Sequence, residues 1–227
     1  MLECTFGIRK KKKIVKLFFG SKMNAILIQP TYFPSISHYV AMVQSDGITF
    51  EMEDNFQKQT NRNRMYIYSP NGLQMLNIPI KHSKEVHQKT KDVKIEYDFN
   101  WQKQHFKSLD AAYRSSPYFE YFEDDFIQIF EKKHDFLIDL NFKAMEIISK
   151  CIGIPFVFEK TTEYFSEPTN QIDFRDLANG KKDSSTFTEY TQVFDDKHGF
   201  INNLSILDLL FNEGRSAKEY LKNQKLR

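Results

Sequence analysis

The feature that most constrains the fold is an apolar run followed by a proline-rich loop, a short helix and a second apolar run. Residues 25–29 (AILIQ) predict a buried strand, which Pro30 ends because proline has no N–H to donate. Residues 37–45 place their apolar side chains on one helical face, and residues 48–53 (ITFEME) predict a second strand. Strands joined in this way pair in parallel through a right-handed crossover, so the chain begins with a β-loop-α-β unit.

The rest of the chain predicts a hairpin and then helices. Residues 64–80 contain two alternating runs around Asn-Gly at 71–72, a strong hairpin signal, and residues 92–98 predict a further strand. After residue 100 the apolar period changes from two to nearly four, which predicts helices, the third ending at Gly153, before a strand at 155–159. We therefore expect an α/β (or α+β) fold: the N-terminal β-loop-α-β unit and the β-hairpin share a mixed sheet, followed by a helical C-terminal half.

The charge distribution separates the start of the chain from the remainder. Of 32 basic and 30 acidic residues, seven basic and one acidic lie in residues 1–22, which leaves 25 and 29 for the rest. A mildly acidic body does not offer the basic surface that nucleic acid requires, so we expect no nucleic-acid partner. We expect residues 1–22 to be a disordered basic leader or to lie upstream of a true start at Met23. Residues 23–159 would form the core, and residues 160–227 a wrapping segment that ends in a helix.

Cysteine usage and hydropathy favour a cytoplasmic address. Cys4 and Cys151 are the two cysteines, so no disulfide framework is expected, and no apolar run approaches the ~20 residues of a membrane span. P-loop, dinucleotide-binding, H-E-x-x-H and G-x-S-x-G motifs are absent, which argues against Walker-type ATPases, Rossmann enzymes, zincins and α/β-hydrolases. His82 and His87 share no helix face, so no metal site and no evident cofactor are predicted.

The loop after the first strand carries the first candidate residues. Polar side chains at the carboxyl end of a strand in an α/β sheet face the crevice in which ligands bind, which makes Gln29 and Tyr32 candidates. For Tyr32, covering the end of the sheet is an equally good interpretation. His38 could act as an acid or base, although an exposed helix histidine is the simpler interpretation. Asp46 fits a turn.

Two arginines in the run NRNR (61–64) are the second candidate. On an extended backbone Arg62 and Arg64 would project to one face, where two guanidinium groups could bind a phosphate or carboxylate. The alternatives are a solvated strand edge and structural ion pairing with Glu51, Glu53 or Asp54.

Further along the chain, His105 lies one turn from both Trp101 and Leu109, so a core histidine is the default interpretation and catalysis the alternative. Asp208 fits a capping box and is taken as structural. Residues 172–177 (IDFRDL) could form an ion-paired loop or part of a lid.

Five ordered segments resemble the WbqC-like family over roughly residues 26–122. They are ILIQPTYFP, SD before an apolar strand, ED followed by NRNRM, NG-x-x-x-L-x-IPI, and W-x-x-x-H-x-x-x-L-x-x-AY-x-x-SPYF. Carried over by position, the family's motifs fall on Gln29, Pro30, Tyr32, Asp46, Asn61, Arg62, Asn63, Arg64, Trp101, His105 and Tyr113. The chain has PSISHYV where the family has P-W-x-G-Y-F, so a glycine-dependent approach to a ligand is in doubt.

The resemblance implies a transferase of surface-polysaccharide (O-antigen-type) biosynthesis that moves an acyl or aminoacyl group onto an amino sugar or nucleotide sugar. In this hypothesis His105 is the general base and Asp46 a second catalytic residue. The substrate-binding residues are Gln29, Tyr32, Asn61, Arg62, Asn63, Arg64, Trp101 and Tyr113, and the donor is nucleotide-linked or of the CoA type.

Two alternatives remain open: a nucleotidyltransferase-like enzyme, whose usual H-x-G-H pattern is missing, and a non-catalytic sugar-binding or scaffold protein of glycan assembly. The oligomeric state is left open. The site residues assigned in the transferase hypothesis require that the first loop, the paired arginines and the Trp101 helix enclose one hollow.

Overall fold

A computed structural model describes residues 25–83 and 87–226 of the chain. The predicted leader at 1–22 and the start at Met23 lie outside the described residues.

A four-stranded parallel sheet forms the centre of the fold. Strands β1 (Ile26–Ile28), β2 (Ile48–Phe50), β5 (Glu159–Lys160) and β6 (Ile172–Asp173) lie in the order β5-β2-β1-β6, and every neighbouring pair is parallel. Helix α1 (Ile36–Gln44) connects β1 to β2, which confirms the predicted β-loop-α-β unit. Strand β1 is apolar throughout and buried, as is typical of a central parallel strand.

The predicted hairpin forms, but as a separate sheet. Strands β3 (Arg64–Ser69) and β4 (Gly72–Asn77) pair antiparallel along their whole length, and Gly72 takes the positive φ of +90° that the turn requires. The α/β class with its helical second half is confirmed, whereas the expectation of a single mixed sheet is wrong. Residues 58–63 fold into turns between β2 and β3, so the hairpin does not continue the parallel ladder.

Residues 92–98 do not form the predicted strand. They begin at the end of a 3-10 turn (Thr90–Asp92) and make isolated bridges from Lys94 to Phe136 and from Ile95 to Ile80. The alternating pattern in this segment therefore reflects single contacts with neighbouring segments.

Three consecutive helices contribute a large share of the apolar core. They are α2 (Trp101–Tyr113), α3 (Phe119–Glu131) and α4 (Leu137–Ile152). Each buries the apolar face that its period predicts, and Gly153 ends α4 with φ +76°, as expected of a glycine at a helix end.

The residues after 160 do more than cover the surface. They contribute β6, a 3-10 helix (Arg175–Ala178), and helices α5 (Asp195–His198), α6 (Ile206–Glu213) and α7 (Ala217–Asn223). Helices α6 and α7 pack against α1, so the end of the chain completes the same core as its beginning. Across the described residues, no helix combines the length and apolar character needed to span a bilayer.

Candidate functional site

The carboxyl ends of three parallel strands open into one cavity of about 390 Å³. Gln29 directly follows β1, Asp173 ends β6, and Asp54 lies in the segment after β2. This edge of an α/β sheet is where ligands generally bind. We call it the strand-end cavity; it is lined by Gln29, Asp54, Gln57, Arg62, Tyr164, Asp173, Arg175, Asp176, Asn179 and Lys182.

Three of its residues form a buried polar cluster centred on one carboxylate. Gln29 Nε2 donates to Asp54 Oδ2 at 3.0 Å, and Arg62 Nη2 donates to the same oxygen at 2.6 Å. Arg62 Nη1 also donates to Thr60 Oγ1 at 3.2 Å. Gln29, Asp54 and Arg62 are 1%, 6% and 2% exposed, so these contacts are made largely out of water.

The same three side chains each leave one polar atom unpartnered. Among the described residues, Gln29 Oε1, Asp54 Oδ1 and Arg62 Nε are buried and have no hydrogen-bond partner. A buried polar atom without a partner costs about 1–3 kcal/mol, so proteins rarely retain one unless water or a ligand completes it. This cluster can therefore make further hydrogen bonds to a ligand through two acceptors and one donor.

Arg175 fixes the opposite wall of the cavity. Its guanidinium donates to both oxygens of Asp173, to Glu51 Oε2 at 3.2 Å and to two backbone carbonyls, and the hydrogen bonds with Asp173 raise its pKa. All its N–H groups are engaged, so Arg175 holds the loop in place. Of the two interpretations of residues 172–177, the structure shows the ion-paired loop.

The two arginines of NRNR do not converge. Residues 61–63 lie in a turn, so the alternation of an extended strand does not apply, and Arg62 pairs with Asp54 while Arg64 lines a different cavity. The prediction of a shared face is wrong, and the ion-pair alternative is confirmed for Arg62.

Arg64 borders a second cavity of about 290 Å³. We call it the side cavity; it is lined by Phe33, Ser35, Asn61, Arg64, Met65, Tyr66, Leu73, Gly180, Lys181, Asp183, Ile201, Asn202, Asn203, Leu204 and Ser205. Asn61 lies here, whereas Asn63 is turned away and donates to Asn77 Oδ1 and to the Ile78 carbonyl.

The Trp101 helix is not part of either cavity. His105 Nδ1 lies 3.0 Å from the Tyr32 hydroxyl. Burial lowers the His105 pKa to about 4, and Trp101 packs edge-on against its ring. Tyr32, Trp101 and His105 thus form a buried aromatic cluster.

Tyr113 belongs to another buried network. Its hydroxyl donates to Asp208 Oδ1 at 2.9 Å, while Tyr190 and Gln192 donate to Asp208 Oδ2. Burial raises the Asp208 pKa to about 6 despite these hydrogen bonds. Asp208 therefore acts in the core and not in a capping box, and Ser205 alone caps α6 by accepting from Leu207 N.

Asp46 lies at the opposite edge of the sheet from Gln29. It precedes β2 and lines a cavity with Ala25, Gly47 and Lys218 at the amino ends of the strands. The topology of a parallel sheet puts Asp46, which precedes β2, and Gln29, which follows β1, at opposite ends of the strands. The expectation of one hollow shared by the first loop, both arginines and the Trp101 helix is also wrong, because Arg64 lines a different cavity from Arg62 and α2 lines neither.

His38 also differs from its simpler interpretation. It is fully buried, with Nδ1 3.1 Å from Ser35 Oγ, and burial lowers its pKa to about 4. The expectation of an exposed helix histidine is wrong, because α1 is buried along most of its length.

Comparison with known proteins decides the family. Residues 29–186 match the model of the WbqC-like protein family, which is more than half of the chain. The chain belongs to the WbqC-like family. An uncharacterized protein of Mycobacterium tuberculosis, Rv1507c, is 26% identical over 226 residues, covering 86% of this chain and 96% of the relative. No solved structure matches the chain significantly.

All ten residues of the strand-end cavity of this WbqC-like protein fall within the family match. Five of its charged residues were not singled out as site residues from the sequence: Asp54, Asp173, Arg175, Asp176 and Lys182. Asp54 could have been found as a carboxylate directly after the second strand, the position that made Gln29 a candidate. The described residues contain no group of three or more His, Cys, Asp or Glu side chains placed to hold a metal ion.

Proposed function

We propose that this WbqC-like protein is a transferase that moves an acyl or aminoacyl group onto the amine of an amino sugar in surface-polysaccharide biosynthesis. The acceptor amine would bind in the strand-end cavity. The observation that carries the proposal is the pair of unpartnered buried acceptors, Asp54 Oδ1 and Gln29 Oε1, at the carboxyl edge of the sheet.

The chemistry of an amine fits this pair. An amine or ammonium group donates up to three hydrogen bonds, and a carboxylate with a neighbouring amide oxygen accepts two of them. Asp54 would take a proton from the amine as its nitrogen attacks the acyl carbonyl. The N–C bond forms, the bond from the carbonyl to the donor's leaving group breaks, and that group departs with its electron pair.

Arg62 would assist the same acyl transfer in two ways. Its bond to Asp54 Oδ2 orients the carboxylate, and its free Nε–H is a donor beside the reacting centre. Such a donor stabilises the negative charge that develops on the carbonyl oxygen. In this proposal Asp54 replaces His105 as the general base, since His105 is bonded to Tyr32 and lines neither the strand-end cavity nor the side cavity.

The charge of the strand-end cavity argues against a nucleoside triphosphate bound in this cavity. Its lining has three basic residues, Arg62, Arg175 and Lys182, and three acidic ones, Asp54, Asp173 and Asp176. A triphosphate needs a surplus of available cationic groups, and Arg175 is already saturated. A neutral polar cavity suits a sugar better.

Replacing Asp54 by Asn tests the proposal. We expect the turnover rate, followed by mass spectrometry with amino-sugar nucleotides and acyl or aminoacyl donors, to fall about 100-fold or more because the base is lost. Asp46→Asn is the matched control, since it changes the same charge at the opposite edge of the sheet and should keep the rate. Full activity of Asp54→Asn would refute the assignment, and a folded wild-type protein that shifts its melting temperature with sugars but turns none over would favour the binding-protein alternative.

A further inference from the structure

The side cavity adjoins the strand-end cavity across two chain segments. Asn61 lines the side cavity and Arg62 the strand-end cavity, and Lys181 and Lys182 are divided in the same way. Residues 61–62 and 179–183 thus form a common wall. A ligand that occupied both cavities would place one chemical group on each side of this wall.

A buried amide in this wall lacks a partner. Asn61 is 7% exposed, and its side chain makes no hydrogen bond within the described residues. Gly180 lies directly against it, since a Cβ at Gly180 would be 3.4 Å from Asn61 Nδ2. The glycine leaves the amide room to contact a ligand.

The cationic groups of the side cavity are available. Arg64 makes one hydrogen bond, from Nε to Asn77 Oδ1 at 3.3 Å, so both terminal nitrogens lack partners among the described residues. The Lys181 ammonium likewise has none there, and the residue is exposed. These donors differ from those of Arg175, all of which are engaged.

The one carboxylate of the side cavity is already satisfied. Asn203 Nδ2 donates to Asp183 Oδ2 at 2.7 Å and Ser185 N donates to Oδ1 at 3.0 Å. Burial by itself raises the Asp183 pKa, but the hydrogen bonds from Ser37, Ser185 and Asn203 together lower it below its ordinary value. Asp183 is therefore ionised and engaged, and the lining keeps a formal charge of +1 from two cations and one anion.

We propose that the side cavity binds the oxyanion group of the donor, a phosphate or carboxylate, through Arg64, Lys181 and Asn61. Free guanidinium, ammonium and amide N–H groups are the donors that such an anion needs, while Phe33, Leu73 and Ile201 supply an apolar wall for the rest of the ligand. Its volume of about 290 Å³ suits a group the size of a diphosphate, with the remainder of a nucleotide-linked donor outside. The assignment to the donor rests on the proposed function, whereas the anion site does not.

Calorimetric titration of the full chain with inorganic pyrophosphate, and separately with succinate, tests the anion site. We expect saturable binding of one of them, and its identity distinguishes a phosphate from a carboxylate site. Arg64→Gln and Lys181→Gln should each weaken binding about tenfold or more, the usual effect of losing a charged hydrogen bond. Lys103→Gln, which removes the same charge from the exposed face of α2, should bind as the wild type does.

Asp54→Asn separates this inference from the proposed function. It should bind the anion normally while turnover is lost, because Asp54 lines the other cavity. Wild-type protein that binds neither anion, or Lys181→Gln protein with unchanged affinity, would overturn the proposal. Since Lys181 is exposed, its replacement is not expected to affect folding.

Discussion

Asp54 and His105 are both buried polar residues within reach of the first loop, and their hydrogen bonds give them different capacities. His105 Nδ1 lies 3.0 Å from the Tyr32 hydroxyl, and the residue lines neither cavity. Among the described residues, Asp54 has one oxygen held by Gln29 and Arg62 and one without a partner. A general base needs a free acceptor beside its substrate, so the geometry favours Asp54 even though a histidine is the commoner base.

The buried carboxyl of Asp208 makes the free energy of unfolding depend on pH. Its pKa is raised from 3.8 to about 6. Between these two pH values the Asp208 carboxyl keeps its proton in the folded protein and has lost it in the unfolded chain. Its favourable contribution is complete below pH 3.8 and is lost as the pH rises through about 6. We expect the free energy of unfolding of the wild type, relative to Asp208→Asn, to fall by an amount on the order of 3 kcal/mol between pH 4 and pH 7.

Urea unfolding at several pH values measures this difference. Asp196→Asn is the control, because it removes the same charge from an exposed position in α5. A wild-type and an Asp208→Asn curve that run parallel from pH 4 to pH 7 would show that Asp208 is not the titrating group.

At the scale of elements, the site depends on a strand that the sequence does not reveal. Strand β6 has two residues and pairs with β1 across more than 140 positions of chain. Two residues carry no periodicity, and only the partner strand makes them extended. The neighbouring β1 and α1 were predictable because an apolar run, a proline and a helical face are local signals.

Two glycines with positive φ end helices but differ in their surroundings. Gly214 joins α6 to α7 with φ +58°, and a Cβ there would lie 2.9 Å from the Tyr118 ring. Gly153 ends α4 with φ +76° and has nothing within 4 Å of that position. We expect Gly214→Ala to lower the free energy of unfolding by about 3 kcal/mol, through backbone strain and a steric clash.

Gly153→Ala serves as the matched variant, since it keeps the strain without the clash. It should cost about 1 kcal/mol in the same urea titration. Equal losses for the two variants would contradict the role given to Tyr118.

For the whole molecule, the sequence predicts the class of fold and two of the ten residues that line the strand-end cavity. The β-loop-α-β unit, the hairpin and the three helices follow from local periodicity, and Gln29 and Arg62 were candidates before their contacts were known. The hollow expected beside Trp101 does not form, because α2 turns that face into the core. The wall of the site that contains Arg175 and Lys182 comes from residues beyond 160, which only long-range packing brings to β1.

We propose that the carboxyl edge of the parallel sheet, and not the Trp101 helix, holds the acceptor. A crystal structure of the protein with a bound amino-sugar nucleotide tests it directly. We predict that the sugar amine lies about 3 Å from both Asp54 Oδ1 and Gln29 Oε1, a normal hydrogen-bond distance. An amine seated against Trp101 and His105, or at the Asp46 edge of the sheet, would contradict the account.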